Sequence, residues 1–91
     1  MPRLNLEFKA SFVRDLKKIK DKNLKGRVQE VIEAFEQAQS LQEIENVKKL
    51  KGNDRYYRVR IGDYRIGLAV EKDVVTFVRL LHRKDVYRYF P

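Results

Sequence analysis

The chain has no cysteine, no tryptophan and a single histidine, His82. Without cysteine it can form neither a disulfide nor a thiolate metal site. With one histidine, acid–base cleavage of a phosphodiester by a pair of histidines is excluded, and a zinc centre would lack its usual nitrogen and sulfur ligands. We therefore expect neither a metal nor a cofactor.

Glycine, proline and long apolar runs are also scarce. The two prolines stand at positions 2 and 91, and there are four glycines, so no linker separates one domain from another. We expect residues 1–91 to form a single domain. The first ten residues lack the apolar run of a signal peptide, and no stretch approaches the roughly 18 apolar residues of a membrane span. We therefore expect a cytoplasmic protein that makes no membrane contact.

Positive charge is abundant and unevenly placed. The formal net charge is +8. Residues 1–45 hold nine basic and eight acidic side chains, whereas residues 46–91 hold twelve basic and five acidic ones. A strongly basic half indicates a polyanion partner such as nucleic acid, although a solubilising surface or a patch for an acidic protein would carry the same charge.

Helical periodicity dominates the first half. Residues 12–19 repeat apolar side chains at helical spacing behind Ser11, a suitable N-cap, and residues 24–38 carry one apolar stripe of a longer amphipathic helix. A polar break at 21–23 separates them, which predicts a helical hairpin. A serine with a glutamate three residues later, the spacing of a capping box, predicts a helical turn at 41–45.

Alternation with a period of two predicts the strands. Residues 4–8 alternate, and so do residues 56–61 and 64–70, which flank a Gly-Asp pair suited to a two-residue hairpin turn. Residues 74–81 are rich in β-branched side chains and predict one more strand.

The predicted order is β-α-α-β-β-β, an α+β fold. Its tight turns make the last three strands antiparallel, and the helical hairpin packs on one face of the sheet. The opposite face stays open to a partner. A last helical turn or short tail is expected at 85–90, where Tyr89 and Phe90 anchor the end of the chain.

The predicted hairpin turn fixes the register of two arginine-bearing strands. It places Arg60 opposite Arg65 and Arg58 opposite Gly67, and alternation puts these residues and Ala69 on the open face. Two opposed arginines repel by a few tenths of a kcal/mol or more, a cost that an anion between them would remove. We expect a shallow phosphate site with an open floor at Gly67 and Ala69, because guanidinium groups match phosphate oxygens; solvated surface arginines are the alternative.

Two flanking segments add candidates. Lys48, Lys49 and Lys51 precede the hairpin on an expected exposed connection, where they could contact a sugar–phosphate backbone. His82 ends the last strand and could act as a general acid or base, or have no chemical role. Tyr87 could stack on a base or simply anchor the C-terminus.

Three motifs in this order resemble the RelE/ParE superfamily of toxins from toxin–antitoxin systems. After the helical hairpin the chain reads VKKLKG, then YYRVRIGDYRIGLAV, then VVTFVRLLHRKDVYR. The resemblance spans nearly the whole chain. The RIGDYRI hairpin followed by HRKDVY is its most specific part.

RelE-like members of the superfamily cut mRNA in the ribosomal A site, where the RNA 2′-hydroxyl attacks its own adjacent phosphate. The resemblance implies that Arg65 binds the scissile phosphate and steadies its growing charge. It implies that Arg83 helps at the phosphate or leaving group and that Tyr87 stacks on a nucleotide.

The same resemblance extends to further positions. Lys49 and Lys51 match a basic pair that contacts RNA and assists proton removal, and His82 stands where some members have a catalytic acid or base. The identity of the base stays open. The remaining RNA contacts are expected from Lys48, Arg58 and Arg60.

We therefore expect a type II toxin that is a ribosome-dependent mRNA endoribonuclease. Two alternatives share the fold: a ParE-like inhibitor of DNA gyrase, and a basic RNA- or protein-binding module without catalysis. The expected partners are mRNA in the ribosomal A site and a cognate antitoxin that is acidic where it covers the arginine face.

Overall fold

A computed structural model describes residues 3–50, 52 and 55–91. The candidate Lys51 lies outside the described residues. The elements, in chain order, are β1 Asn5–Phe8, α1 Ala10–Lys18, α2 Lys22–Gln37, a 3-10 turn Leu41–Glu43, β2 Val47–Lys49, β3 Tyr56–Ile61, β4 Tyr64–Glu71, β5 Val74–His82 and α3 Val86–Tyr89.

One five-stranded sheet organises the molecule, with the strand order β1-β5-β4-β3-β2. The strands β3, β4 and β5 are antiparallel neighbours, and β1 pairs parallel with β5. The predicted α+β order is confirmed with one addition. The connection expected to be exposed contains β2, which pairs antiparallel with β3; three residues are too few to display the alternation that reveals a strand.

The helices and the sheet share a single core. The Phe77 ring on β5 lies 5.4 Å from the Phe12 ring on α1 and 5.4 Å from the Phe35 ring on α2, both edge to face. The central strands complete this core with Val59, Ile61, Ile66 and Leu68. Each such side chain, once fully buried, stabilises the fold by about 1.5–3 kcal/mol.

Polar side chains of α1 cover the edge of β5 that extends beyond β1. Ser11 is not the N-cap, which is Lys9; instead its hydroxyl donates to the carbonyl of Val78 at 2.6 Å. The buried Asp15 carboxylate accepts the backbone N–H of Leu80 at 3.0 Å. The Ser11 prediction was wrong because its hydroxyl satisfies a strand carbonyl, a tertiary contact that local capping rules do not include.

The other two caps follow the sequence. The Asp21 carboxylate accepts from the backbone N–H groups of Asn23 and Leu24 and so begins α2. Ser40 and Glu43 form the predicted capping box. The helical turn that follows is the 3-10 segment 41–43, two residues shorter than predicted.

Candidate nucleic-acid interface

The β3–β4 hairpin turns as predicted. Gly62 begins the turn with φ of 56°, a left-handed value that glycine adopts without strain. Arg60 pairs with Arg65 and Arg58 with Gly67. Because side chains alternate along a strand, the three arginines share the face of the sheet opposite the helices.

The short strand β2 adds lysine to this face. Lys48 pairs with Arg58, so the two side chains lie on the same side. Lys49 pairs with Tyr57 and alternates to the helix side of this edge strand, yet it also lines the groove described below. The sequence placed both lysines on a loop; the structure gives Lys48 a fixed register beside Arg58.

Arg65 is anchored by its own hairpin turn. Its Nη1 donates to the carbonyl oxygens of Gly62 and Tyr64, each at 2.8 Å. Both bonds use the same nitrogen, so Nε and Nη2 remain as further donors. An arginine held this way loses little side-chain freedom when an anion binds.

The electrostatic surroundings of Arg65 are cationic. Burial lowers the pKa of Arg65, and the positive charges of Arg58, Arg60 and Arg83 lower it further. Tyr87 acts in the opposite direction on the same pKa. Three other guanidinium groups are therefore close enough to act on Arg65, and an anion bound beside it would relieve this repulsion.

Tyr87 is exposed and faces Arg58. Its hydroxyl accepts a hydrogen bond from Nη1 of Arg58, whose Cζ lies 5.2 Å from the centre of the phenol ring. With 67% of its surface exposed, the ring offers a free face to a base.

A groove of about 420 Å³ runs beside this pair, lined by Lys48, Lys49, Leu50, Arg58, Tyr87, Phe90 and Pro91. A second depression of about 360 Å³ is lined by Asn46, Val47, Lys48, Arg58, Arg60 and Arg65. Lys48 and Arg58 line both, so the two spaces adjoin. We call this surface, formed by Lys48, Arg58, Arg60, Arg65 and Tyr87, the cationic face.

Arg83 lies at the hairpin end of this face. Its backbone N–H donates to the carbonyl of Asp63 at 2.7 Å. Its Nε is 3.9 Å from the Asp63 carboxylate, and its side chain is 60% exposed. An ion pair this exposed contributes at most about 1 kcal/mol, so Arg83 can exchange it for a phosphate.

His82 is not brought to the cationic face. It pairs with Tyr64, whose ring lies 5.4 Å from the imidazole on the helix side of the sheet. Its Nδ1 accepts the backbone N–H of Lys84 at 3.1 Å. His82 precedes Arg83 in the chain, but its pairing with Tyr64 places its side chain on the helix side of the sheet.

The expected open floor at Gly67 was wrong. Gly67 is buried beneath the ring of Phe90, which is 4% exposed. The expected anchoring by Phe90 is thus confirmed, whereas Tyr89 is 51% exposed and does not anchor the chain. A glycine inside a strand often marks a close approach of another group, and that signal pointed to a covered position rather than an empty one.

Within residues 3–50, 52 and 55–91, no group of three or more His, Cys, Asp or Glu side chains is placed to hold a metal ion. Over the same residues, no helix has both the length and the apolar character needed to cross a membrane.

Comparison with known proteins defines the class. Residues 6–87 match the family described as the ParE toxin of the type II toxin–antitoxin system parDE. The chain therefore belongs to this toxin family, within the RelE/ParE superfamily.

Individual relatives lie on the RelE side of the superfamily. Toxin RelE3 of Methanocaldococcus jannaschii is 42% identical over 85 residues, which cover 92% of this chain and 96% of the relative. The toxin–antitoxin complex RelB-RelE from Methanococcus jannaschii matches with TM-score 0.79 and 41% identity, covering 93% of this chain and 99% of the matched chain. The archaeal RelE-RelB complex from Pyrococcus horikoshii OT3 matches with TM-score 0.72 and 26% identity, covering 90% and 97%.

Proposed function

We propose that this toxin is a ribosome-dependent endoribonuclease that cuts mRNA in the decoding A site. One observation carries the proposal: Arg65 is anchored by the hairpin turn on the same face as Arg58 and Arg60, and Arg58 contacts the exposed Tyr87. Guanidinium groups for a phosphate beside an aromatic ring for a base are the two contacts that single-stranded RNA offers.

The chemistry is an internal transfer within the RNA. The 2′-oxygen attacks the adjacent phosphorus, the bond from phosphorus to the 5′-oxygen breaks, and the products are a 2′,3′-cyclic phosphate and a 5′-hydroxyl. The 2′-hydroxyl gives up its proton and the leaving oxygen gains one. Negative charge grows on the non-bridging oxygens, where Arg65 can donate from Nε and Nη2. Such preorganised donors typically contribute 10²–10³ in rate, about 2.7–4 kcal/mol.

The other members of the cationic face position the strand. Tyr87 stacks on a nucleotide, which fixes the sugar so that its 2′-oxygen lies in line with the scissile bond. Arg58 and Arg60 contact phosphates, and Lys48 extends this contact along the groove. Arg83 approaches the leaving group from the turn.

The proton acceptor is proposed among Lys49, Lys51 and Tyr87. His82 lies on the helix side of the sheet, so we assign it no proton transfer. Much of the acceleration would then come from orientation and charge stabilisation rather than from a matched acid–base pair.

The proposed protein partner is a cognate antitoxin. One of the similar structures is an antitoxin–toxin complex of RelB and RelE, and another is a RelE-RelB complex. We expect the antitoxin of this toxin to place acidic side chains on the cationic face, and the pair to act in the cytoplasm, where ribosomes translate. Affinity of the complex should fall as salt rises from roughly 50 to 500 mM, because screening weakens such contacts.

Purified toxin added to mRNA-programmed ribosomes tests the activity. Primer extension should map cuts in phase with codons in the A site, and these cuts should disappear in Arg65→Ala. If wild-type toxin leaves the mRNA intact but blocks supercoiling by DNA gyrase, the gyrase alternative replaces the proposal. If the toxin neither cuts the mRNA nor blocks supercoiling, a binding module without catalysis is favoured.

A further inference from the structure

The ring of Phe90 packs directly over the backbone of Gly67 in β4. A Cβ atom on Gly67 would lie 2.6–2.7 Å from three carbon atoms of the Phe90 ring. Non-bonded carbons pack best at about 3.5–4.0 Å, so even an alanine at this position would lift the ring from the strand. The Phe90 ring can therefore pack this close to the strand only because residue 67 has no side chain.

Phe90 packs against Gly67 and anchors α3 to the sheet. The ring is 4% exposed and meets the Tyr56 ring edge to face at 5.5 Å. The backbone N–H of Phe90 donates to the carbonyl of Val86 at 2.9 Å, and the Val86 side chain is 1% exposed. The short helix is thus fixed to the body of the protein at its first residue and just beyond its last.

The helix α3 has four residues and carries Tyr87 on its exposed side. A single helical turn has no stability of its own in water. The direction in which Tyr87 points therefore depends on the packing of its neighbours. Phe90 also lines the same groove as Tyr87 and Arg58, so a displaced ring would change the groove itself.

We propose that Gly67 and Phe90 form a lock that positions Tyr87 against Arg58. Both are positioning residues: neither is required to touch the scissile phosphate, and both act through Tyr87. The inference deepens the proposed function and rests on it for its effect on cleavage. The orientation of Tyr87, which is the structural part of the proposal, can be tested without any measurement of activity.

The orientation is measured first, without RNA. Fluorotyrosine placed at position 87 reports its surroundings by fluorine NMR. In Gly67→Ala and in Phe90→Ala the resonance should move toward its position in the denatured chain, while far-UV circular dichroism stays that of the folded protein. The matched control is Gly26→Ala, because a Cβ atom on Gly26 meets nothing within 4 Å. An unmoved resonance in folded Phe90→Ala would overturn the lock.

Cleavage is measured next, in single turnovers on programmed ribosomes. Phe90→Ala and Gly67→Ala should each lower the saturating rate by about 10- to 100-fold, the size expected for a misplaced catalytic group. The toxin concentration for half-maximal rate should change far less, since every cation remains. Gly26→Ala should cleave like wild type.

The double variant distinguishes a lock from two unrelated defects. If Gly67→Ala acts by expelling Phe90, then adding it to Phe90→Ala should cause no further loss. Losses that multiply in the double variant would contradict the lock. Should wild-type toxin fail to cut mRNA, the proposed function fails, whereas the NMR comparison and its prediction are unaffected.

Discussion

The two faces of the β3–β4 hairpin are built from the same two strands but differ in burial and charge. The helix-facing residues of each strand, such as Val59 and Ile66, are 1% and 0% exposed beneath the helices. Their immediate neighbours Arg58, Arg60 and Arg65 point to the other face, where they repel one another. The face of the sheet that packs against the helices stabilises the fold. On the cationic face the arginines repel one another, and a bound phosphate would relieve that repulsion.

Neighbouring positions in the chain have different surroundings here, because alternate side chains face opposite sides of the sheet. Arg65 and Ile66 are consecutive, yet Arg65 is held by its turn on the cationic face and Ile66 is fully buried. Substitutions on the two faces should therefore separate stability from activity.

The largest effect on stability is expected from Ile66→Ala. Ile66 is 0% exposed in the core, so its truncation should lower the free energy of unfolding by about 2–5 kcal/mol. Urea denaturation followed by circular dichroism measures this. A loss under about 1 kcal/mol would show that the helix face is not the stabilising one.

A smaller effect, on cleavage alone, is expected from Tyr87→Ala. Stacking of a base on an aromatic ring contributes about 1–3 kcal/mol, so the cleavage rate should fall roughly 5- to 150-fold while unfolding is little changed. Tyr87→Phe keeps the ring and should retain part of the lost activity. Equal losses in both variants would assign the role to the hydroxyl instead of the ring.

A still smaller and graded effect is expected from Arg58→Ala on binding of a short single-stranded RNA. Removing one phosphate contact should weaken binding and make the slope of log K against log salt about one unit less negative at most. Arg55→Ala is the matched control, because Arg55 pairs with Glu71 at 2.7 Å near the opposite end of the hairpin. Identical slopes for the two variants would show that the contact is not local to the cationic face.

No loss of cleavage is expected from His82→Gln, since the ring lies on the helix side against Tyr64. The cleavage rate should equal that of wild type at every pH at which both proteins stay folded. A step in the wild-type profile that vanishes in this variant would return His82 to the chemistry.

Most of the fold could be read from the sequence because its signals are local. The strand period, the Gly-Asp turn and the capping box each act within a few residues, and together they fixed the Arg60–Arg65 pairing that the structure confirms. The strand β2 was not predicted because it has only three residues, too few to show an alternating pattern. The parallel pairing of β1 with β5 joins residues nearly seventy positions apart, a contact that no local pattern encodes.

The site was less predictable because part of it depends on contacts between residues that are far apart in the chain. The arginine cluster followed from register, but the packing of Phe90 on Gly67 depends on where the chain returns after β5. The face on which His82 lies could not be predicted either, because it depends on the pairing of β5 with β4.

The most direct test measures cleavage and unfolding side by side in Arg65→Ala, Ile66→Ala and the control Arg55→Ala. We predict that Arg65→Ala loses about 10²–10³ in the rate of mRNA cleavage on ribosomes and loses much less stability than Ile66→Ala. Arg55→Ala should keep the rate of wild type. Wild-type cleavage by folded Arg65→Ala would contradict the assignment of the cationic face as the catalytic site.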